Sequence, residues 1–394
     1  MGRAGRPPMA ARSLPITSVR LARVGAPRPL PRRRRSGYTQ VRRLHLNPII
    51  TPPLLFCGLL AALWTWKCTM LVIFQNKIIY TPGLPPNARR ETIADYESEC
   101  YGIQWREERI RAVDNTDLAL CVAKVCAGKD REKLKAPVGA RRTPVYILYF
   151  QGNASSLPPR LPLLSAVLRT LRDRDESAEY TYTMVCLSYR GYWTSRGRPS
   201  ERGINKDADA ALRWIADRAR QESEQSGKPP VLIFWGQSVG TGFATNLAVS
   251  PNFPESLRLD SMILETPFLS MKDMLAAVYP NKWVPYRYLW PFLRNHLNNW
   301  GNIGILAEQR RAAKVTPPRI FVLEAGRDEL VPPSHSEGIV RRCEEVGLPV
   351  EKAVVPSAYH NEAIIRTAGQ KAVASAIETH AAEAAARRKG IESE

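Results

Sequence analysis

The sequence predicts an α/β fold in which helices flank a mostly parallel central sheet, with one membrane-spanning helix ahead of it. Short runs of β-branched and aromatic residues alternate with segments of helical periodicity, a pattern typical of parallel sheets. A G-x-S-x-G sequence joins one such run to a helix. An apolar segment long enough to cross a bilayer precedes the alternation.

The pentapeptide 236–240, GQSVG, joins the strand predicted over 231–235 to a helix of small residues. In so sharp a turn the serine hydroxyl points away from the sheet, and glycines are needed where a Cβ would clash. The N–H groups of the helix that starts at Val239 can stabilise an oxyanion. We therefore predict that Ser238 is a nucleophile; the alternative is a serine that caps a helix after an ordinary turn.

The remaining strands are predicted from short apolar runs at 101–125 (two edge strands), 145–150, 184–189, 260–265, 319–325 and 350–355. Helices are predicted over 205–220 and from Glu362 onward. Aromatic residues are dense in the insert at about 269–316, which favours a lid or substrate wall; the alternative is plain core packing. The whole domain formed by these elements is expected to occupy residues 77–388.

Two further side chains are expected beside the serine. Asp328 and His360 each follow a predicted strand directly, so both should emerge with Ser238 at the carboxyl edge of the sheet. The chain order Ser–Asp–His is that of the α/β-hydrolase fold. In that arrangement the serine attacks an acyl carbonyl, the imidazole accepts and returns a proton, and the aspartate orients the imidazole. Glu265, at the end of the preceding strand, is the alternative acid.

The loop 151–156, QGNASS, follows a predicted central strand. Its backbone at Asn153 is expected to donate a second hydrogen bond to the oxyanion, beside Val239; the alternative is an ordinary loop with an Asx turn. Four side chains are assigned to substrate binding: Gln237, Tyr189, Trp283 and Trp290. No metal site and no cofactor are expected.

Charge is distributed unevenly along the 394 residues. The net charge is +20, and residues 1–50 hold twelve arginines with no lysine, aspartate or glutamate, which leaves +8 for the rest. Arginines beside an apolar segment are typical of membrane topology or organelle targeting, so we do not expect nucleic-acid binding. Residues 1–51 are predicted to be disordered. The seven cysteines include no C-x-x-C pair, so neither a disulfide framework nor a zinc site is predicted.

The apolar segment Leu54–Phe74 is predicted to cross a membrane, within an anchor at 52–76. Its only charged residue, Lys67, costs about 2.5–3.5 kcal/mol well inside a span. A buried hairpin helix is the alternative. The arginine-rich tail is expected on the cytosolic side and the body on the other. We expect a single-pass protein of an endomembrane such as the endoplasmic reticulum, with the mitochondrion as the alternative.

Several stretches run in one order over residues 75–365: QNKIIYTP, FQGNAS, SYRGYWTSRGRPSERG, GQSVG, ETPF, GRDELVPP and YHN. In them the chain resembles the abhydrolase-domain-containing serine hydrolases, in the membrane-anchored bud-emergence (BEM-type) branch. The resemblance implies an α/β-hydrolase fold with the triad named above, acting on acyl esters and thioesters of lipids or lipidated proteins. The family usually has histidine where Gln151 stands, which changes the hydrogen bonding expected of the oxyanion loop.

Together these features predict a membrane-anchored serine hydrolase that cleaves lipid-type carboxylic esters or thioesters through an acyl-serine intermediate. Membrane lipids and an acyl ester or thioester are the expected partners. A membrane scaffold without activity is the alternative from another class, because a fold alone does not establish chemistry. A peptidase on the same fold is a second alternative.

Overall fold

A computed structural model describes residues 48–126, 142–174 and 179–392. The predicted tail before residue 48 and most of the predicted loop at 128–142 lie outside these ranges. The chain divides into two units, residues 1–56 and residues 57–394. The first unit contributes residues 48–56 to the described part, a turn followed by the start of a helix.

That helix, α1, covers Thr51–Ile73 and is apolar almost throughout. It is long and apolar enough to cross a membrane, and none of its residues is fully buried. The span predicted over Leu54–Phe74 therefore coincides with this helix to within a few residues. A second, short helix, α2 (Gln75–Tyr80), follows directly. Its end leads into the globular body of the chain.

In the part of the chain that the structure describes, the central sheet contains eight strands: β1 (Trp105–Arg111), β2 (Asp117–Cys126), β3 (Thr143–Phe150), β4 (Tyr180–Ser188), β5 (Val231–Gln237), β6 (Leu259–Glu265), β7 (Arg319–Ala325) and β8 (Val350–Val355). Their spatial order is β1-β2-β4-β3-β5-β6-β7-β8. β2 pairs antiparallel with β1 and β4, and every pair from β4 through β3 to β8 is parallel. The mostly parallel sheet predicted from the sequence is confirmed.

Among the described residues, seven α-helices belong to the body: α3 (Leu161–Arg174), α4 (Glu201–Ser226), α5 (Val239–Ala248), α6 (Met271–Val278), α7 (Asn299–Ala312), α8 (Pro333–Val346) and α9 (Thr367–Glu392). They cover both faces of the sheet. On one face, Tyr146 and Leu148 of β3 pack in a core with α4, α5, α7 and α8. On the other face, Ile147 packs in a core with α3 and α9. A strand covered on both faces must be apolar throughout, and all of β3 is buried.

Two sequence expectations change in the structure. The helix expected from Glu362 begins at Thr367, because the chain before it is held in turns: Ala358 accepts a hydrogen bond from the Arg327 N–H (2.9 Å), and the His360 N–H donates to the Glu329 carboxylate (3.0 Å). The aromatic insert is not uniform. Its second half forms α7, which buries Ile303 and other apolar side chains in the core.

Candidate active site

Ser238 occupies the turn between β5 and α5 with φ 51° and ψ −118°, a strained conformation for a residue with a side chain. The turn leaves no room beside it. A Cβ on Gly236 would lie 2.5 Å from the Gly240 carbonyl oxygen, and one on Gly240 would lie 2.1 Å from the Phe150 carbonyl oxygen. Both glycines of the motif are therefore required by close backbone approach, and the turn lifts the serine hydroxyl off the sheet.

Three of the predicted residues meet at this turn. Ser238 Oγ lies 2.9 Å from His360 Nε2, and His360 Nδ1 lies 2.8 Å from Asp328 Oδ2. The other carboxylate oxygen of Asp328 accepts the N–H groups of Leu330 (2.9 Å) and Val331 (2.7 Å). The three side chains converge because β5, β7 and β8 are parallel and end at the same edge. With a proton on Nδ1, held by the carboxylate, Nε2 is free to accept the serine proton.

Glu265, the alternative acid, lies elsewhere. Its carboxylate is fully buried and accepts hydrogen bonds from Trp235 Nε1 and Gln237 Nε2, each at 3.1 Å. Burial raises the pKa of Glu265 to about 7, partly opposed by these hydrogen bonds. The imidazole of His360 is paired with Asp328 and not with Glu265.

The two expected oxyanion donors lie at the same cavity as the serine. Asn153 and Val239 line it together with Ser238 and His360. Within the described residues, the Asn153 N–H has no hydrogen-bond acceptor. The Asn153 side chain accepts a hydrogen bond from Thr81 Oγ1 (2.8 Å), so the end of α2 steadies this loop.

Gln151 takes no part in that stabilisation. Its side chain is fully buried, and neither amide atom has a partner among the described residues. Its backbone oxygen accepts a hydrogen bond from the Tyr189 hydroxyl at 2.8 Å. The change from the family's usual histidine therefore leaves the loop without a side-chain hydrogen bond from this position.

A cation behind the loop was not identified from the sequence. Arg160 donates from Nη1 to Gln237 Oε1 and from Nη2 to the Asn153 carbonyl oxygen (3.4 Å). Gln237 in turn donates to Glu265 (3.1 Å). The only sequence signal was a basic residue shortly after the small-residue loop, and many surface arginines share that feature.

The cavity that reaches Ser238 and His360 has a volume of about 460 Å³ and mostly apolar walls. Its walls come from the end of α1, from α2, from α6 and from residues 289–293. Among the described residues, no group of three or more His, Cys, Asp or Glu side chains is placed to hold a metal ion. The arrangement offers a nucleophile, a base and an apolar chamber whose volume lies in the range of small-molecule binding sites.

None of the four side chains assigned to substrate binding lines this cavity, and their role in substrate binding stays a prediction. Gln237 is buried behind the turn, and the Tyr189 ring packs 5.1 Å from the Phe243 ring in the core. Trp283 is 88% exposed, and Trp290 is half-exposed with Lys272 Nζ 4.6 Å from its ring centroid. Aromatic density along the chain does not tell which face of the insert a ring will occupy.

The chain is similar in sequence to several known proteins, although no protein-family model matches it. Protein bem46 of Schizosaccharomyces pombe is 28% identical over 260 residues, which cover 66% of this chain and 72% of bem46. The lysophosphatidylserine lipase ABHD12 of Gallus gallus is 34% identical over 207 residues, 52% of this chain and 48% of that protein. The chain spans about half the length (53%) of two uncharacterised Mycobacterium tuberculosis proteins that are 31% identical to it.

The fold has a counterpart among solved structures. An α/β hydrolase from Vibrio vulnificus superposes with a TM-score of 0.54 at 18% identity, over 78% of this chain and 92% of that one. At that identity the likeness concerns the fold alone. The chain thus has the α/β-hydrolase fold, and its sequence is similar to that of protein bem46.

Proposed function

We propose that this protein is a serine hydrolase that cleaves carboxylic esters or thioesters of lipid-type acyl substrates. The observation that carries the proposal is the continuous hydrogen-bonded line from Ser238 Oγ through His360 to Asp328 (2.9 and 2.8 Å), at the wall of an apolar cavity. The serine oxygen attacks the acyl carbonyl carbon while His360 Nε2 takes its proton. The same proton then passes to the leaving oxygen or sulfur, and the acyl group stays on the serine.

The negative charge that develops on the carbonyl oxygen is stabilised by the N–H groups of Val239 and Asn153, each donor contributing about 3 kcal/mol. Asp328 holds the imidazole in the productive tautomer and stabilises the imidazolium. A water molecule, deprotonated by His360, then attacks the acyl-serine; the bond between the acyl carbon and Ser238 Oγ breaks, His360 returns the proton to Oγ, and the carboxylic acid is released. Glu265 is assigned no chemical step, since it lies behind the turn with both oxygens occupied.

Two features support a lipid-type acyl group. The cavity beside Ser238 is lined largely by apolar side chains, among them Met271 and Met274 of α6, Ile79 of α2 and Phe268. The similar chicken protein is named a lysophosphatidylserine lipase. An apolar chamber gains about 0.8 kcal/mol for each buried CH₂, so long acyl chains should react better than short ones.

The helix α1 supports a single-pass anchor for this domain. We assign the protein to an endomembrane such as the endoplasmic reticulum, with residues 1–51 on the cytosolic side and the hydrolase domain opposite. Extraction of membranes with alkaline carbonate tests the anchor: the protein should stay in the pellet, and its release would contradict a spanning helix.

A fluorophosphonate probe tests the nucleophile, and a panel of esters, thioesters and peptides then tests the reaction. Wild-type protein should be labelled and should hydrolyse acyl esters or thioesters. Ser238→Ala should be neither labelled nor active, whereas the control Ser250→Ala, on a turn after α5, should behave like wild type. Absence of labelling in a well-folded wild type would favour the scaffold, and cleavage restricted to peptides would favour the peptidase.

A further inference from the structure

We infer that the acyl substrate reaches Ser238 sideways from the membrane, between the end of α1 and the exposed segment 278–293, which lies in the membrane interface. We call residues 278–293 the interfacial segment. The route into the cavity rests on the proposed function, since it presumes a lipid substrate. The membrane contact of the segment does not, and it can be tested without any catalysis.

The end of α1 is part of the cavity wall. Leu71 and Val72 of α1 line the same cavity as Ser238, and so do Leu289, Phe292 and Leu293 of the interfacial segment. A chain bound in this cavity would therefore contact the last turns of the helix that crosses the membrane. The hydrocarbon core and the catalytic chamber are adjacent along one helix.

Polar contacts fix the end of α1 against the body, so this part of the cavity wall is held in place. Arg294 Nη2 donates to the carbonyl oxygens of Val72 (2.9 Å) and Ile73 (3.0 Å), which have no partner within a helix that ends there. Gln75 Nε2 donates to the Phe292 carbonyl oxygen at 3.1 Å. Gln75 of α2 also donates to the Val72 carbonyl oxygen (3.0 Å), so the interfacial segment is joined to the end of α1 through Gln75 and through Arg294, the residue that follows the segment.

Lys67 marks the level of the membrane surface. Its Nζ lies 4.4 Å from the centroid of the Tyr286 ring, a cation–π contact with the interfacial segment. The part of α1 before Lys67 rises about 24 Å, against a hydrocarbon core of about 30 Å. A lysine near that boundary can extend its ammonium into the headgroups. Tyr286 stands at the same level, which places the interfacial segment among the headgroups.

The side chains of the interfacial segment suit that environment. Five large apolar side chains are exposed there: Val278, Trp283, Tyr288, Trp290 and Phe292. Large apolar side chains exposed together in one short segment are typical of a surface that contacts a membrane or another protein. Tryptophan and tyrosine are enriched at bilayer interfaces, and Lys272 beside Trp290 can pair with lipid phosphates. The bilayer that α1 crosses therefore covers this surface, because the surface adjoins the end of α1.

Photo-cross-linking tests the membrane contact directly. Full-length protein in phosphatidylcholine vesicles would carry Trp283→p-benzoylphenylalanine, and irradiation should attach lipid at least about tenfold more than in Val113→p-benzoylphenylalanine. Val113 is a matched control because it is exposed and apolar but lies between β1 and β2, away from the cavity lining. Equal cross-linking at the two positions would overturn the inference, whether or not the protein hydrolyses esters.

The wall formed by α1 has its own test. Val72→Trp should narrow the cavity and lower the labelling rate by a long-chain alkyl fluorophosphonate, relative to a short-chain one, by about tenfold. Leu63→Trp, on the same helix but exposed and outside the cavity lining, should keep the wild-type ratio. An unchanged ratio in Val72→Trp would contradict the wall, whereas failure of both probes to label wild type would contradict the proposed function instead.

Discussion

Removal of the guanidinium of Arg160 tests whether the oxyanion loop is positioned from behind by a cation. Arg160 donates to Gln237 Oε1 and to the Asn153 carbonyl oxygen (3.4 Å), so it ties the loop to the residue just before Ser238. Methionine keeps most of the aliphatic stem and removes both hydrogen bonds. We expect Arg160→Met to lower kcat much more than it changes KM.

The expected fall in kcat follows from the hydrogen bonds that remain at Gln237 and Asn153 after the substitution. A hydrogen bond to a charged group contributes about 1.5–3 kcal/mol, and a well-placed oxyanion donor about 2.7–4 kcal/mol. Gln237 Oε1 keeps the Tyr149 hydroxyl (3.3 Å), and Asn153 keeps its bond from Thr81 (2.8 Å). The loop should therefore shift without collapsing, and kcat should fall by about 10- to 100-fold, which corresponds to part of one donor.

The assay is steady-state hydrolysis of a soluble short-chain ester, with thermal unfolding of the same preparations in detergent. Arg169→Met is the matched control, because Arg169 lies on the same stretch of chain but points to Tyr101, with its guanidinium carbon 5.2 Å from the ring centroid. A variant of Arg160 with lowered melting temperature and unchanged kcat would refute the reasoning and leave Arg160 a structural residue only.

Three further predictions concern the turn and its surroundings. Because burial raises the pKa of Glu265 from near 4.5 to about 7, the folded state holds more protons than the unfolded one in that window. The free energy of unfolding should thus fall by up to about 3 kcal/mol as pH rises from 4.5 to 7. Glu265→Gln should abolish this contribution, which urea unfolding at pH 5 and pH 8 would reveal. The same pH dependence in wild type and variant would contradict the role of Glu265. Gly240→Ala should destabilise the fold by about 3 kcal/mol, since its Cβ would meet the Phe150 carbonyl oxygen at 2.1 Å, whereas Gly83→Ala, with nothing within 4 Å, should be neutral in the same unfolding assay. Asp328→Asn should lower kcat by about 10⁴ with little change in KM, and a loss under tenfold would argue that Asp328 does not orient His360.

Much of the architecture was available from the amino-acid sequence. The central parallel strands are short apolar runs because they are buried on both faces, and the runs at 145–150 and 260–265 were located to within a few residues. The Ser238 turn was also predictable, since only glycine at 236 and 240 permits the close backbone approach. The proximity of Asp328 and His360 to Ser238 was predictable because the carboxyl ends of parallel strands lie at one edge of the sheet.

Other features depended on side-chain direction and on contacts between distant segments, which periodicity does not encode. The aromatic insert illustrates this: Trp283 is exposed, Tyr286 is buried, and neither lines the cavity. The wall of the cavity instead includes Val72, from a helix whose composition indicated only a membrane span. Local sequence therefore determined the strands, the nucleophile turn and the apolar helix, because these depend on burial and backbone sterics. Only the tertiary structure decided which carboxylate meets His360, that Arg160 supports the oxyanion loop, and that α1 borders the site, because each is a contact between segments far apart in the chain.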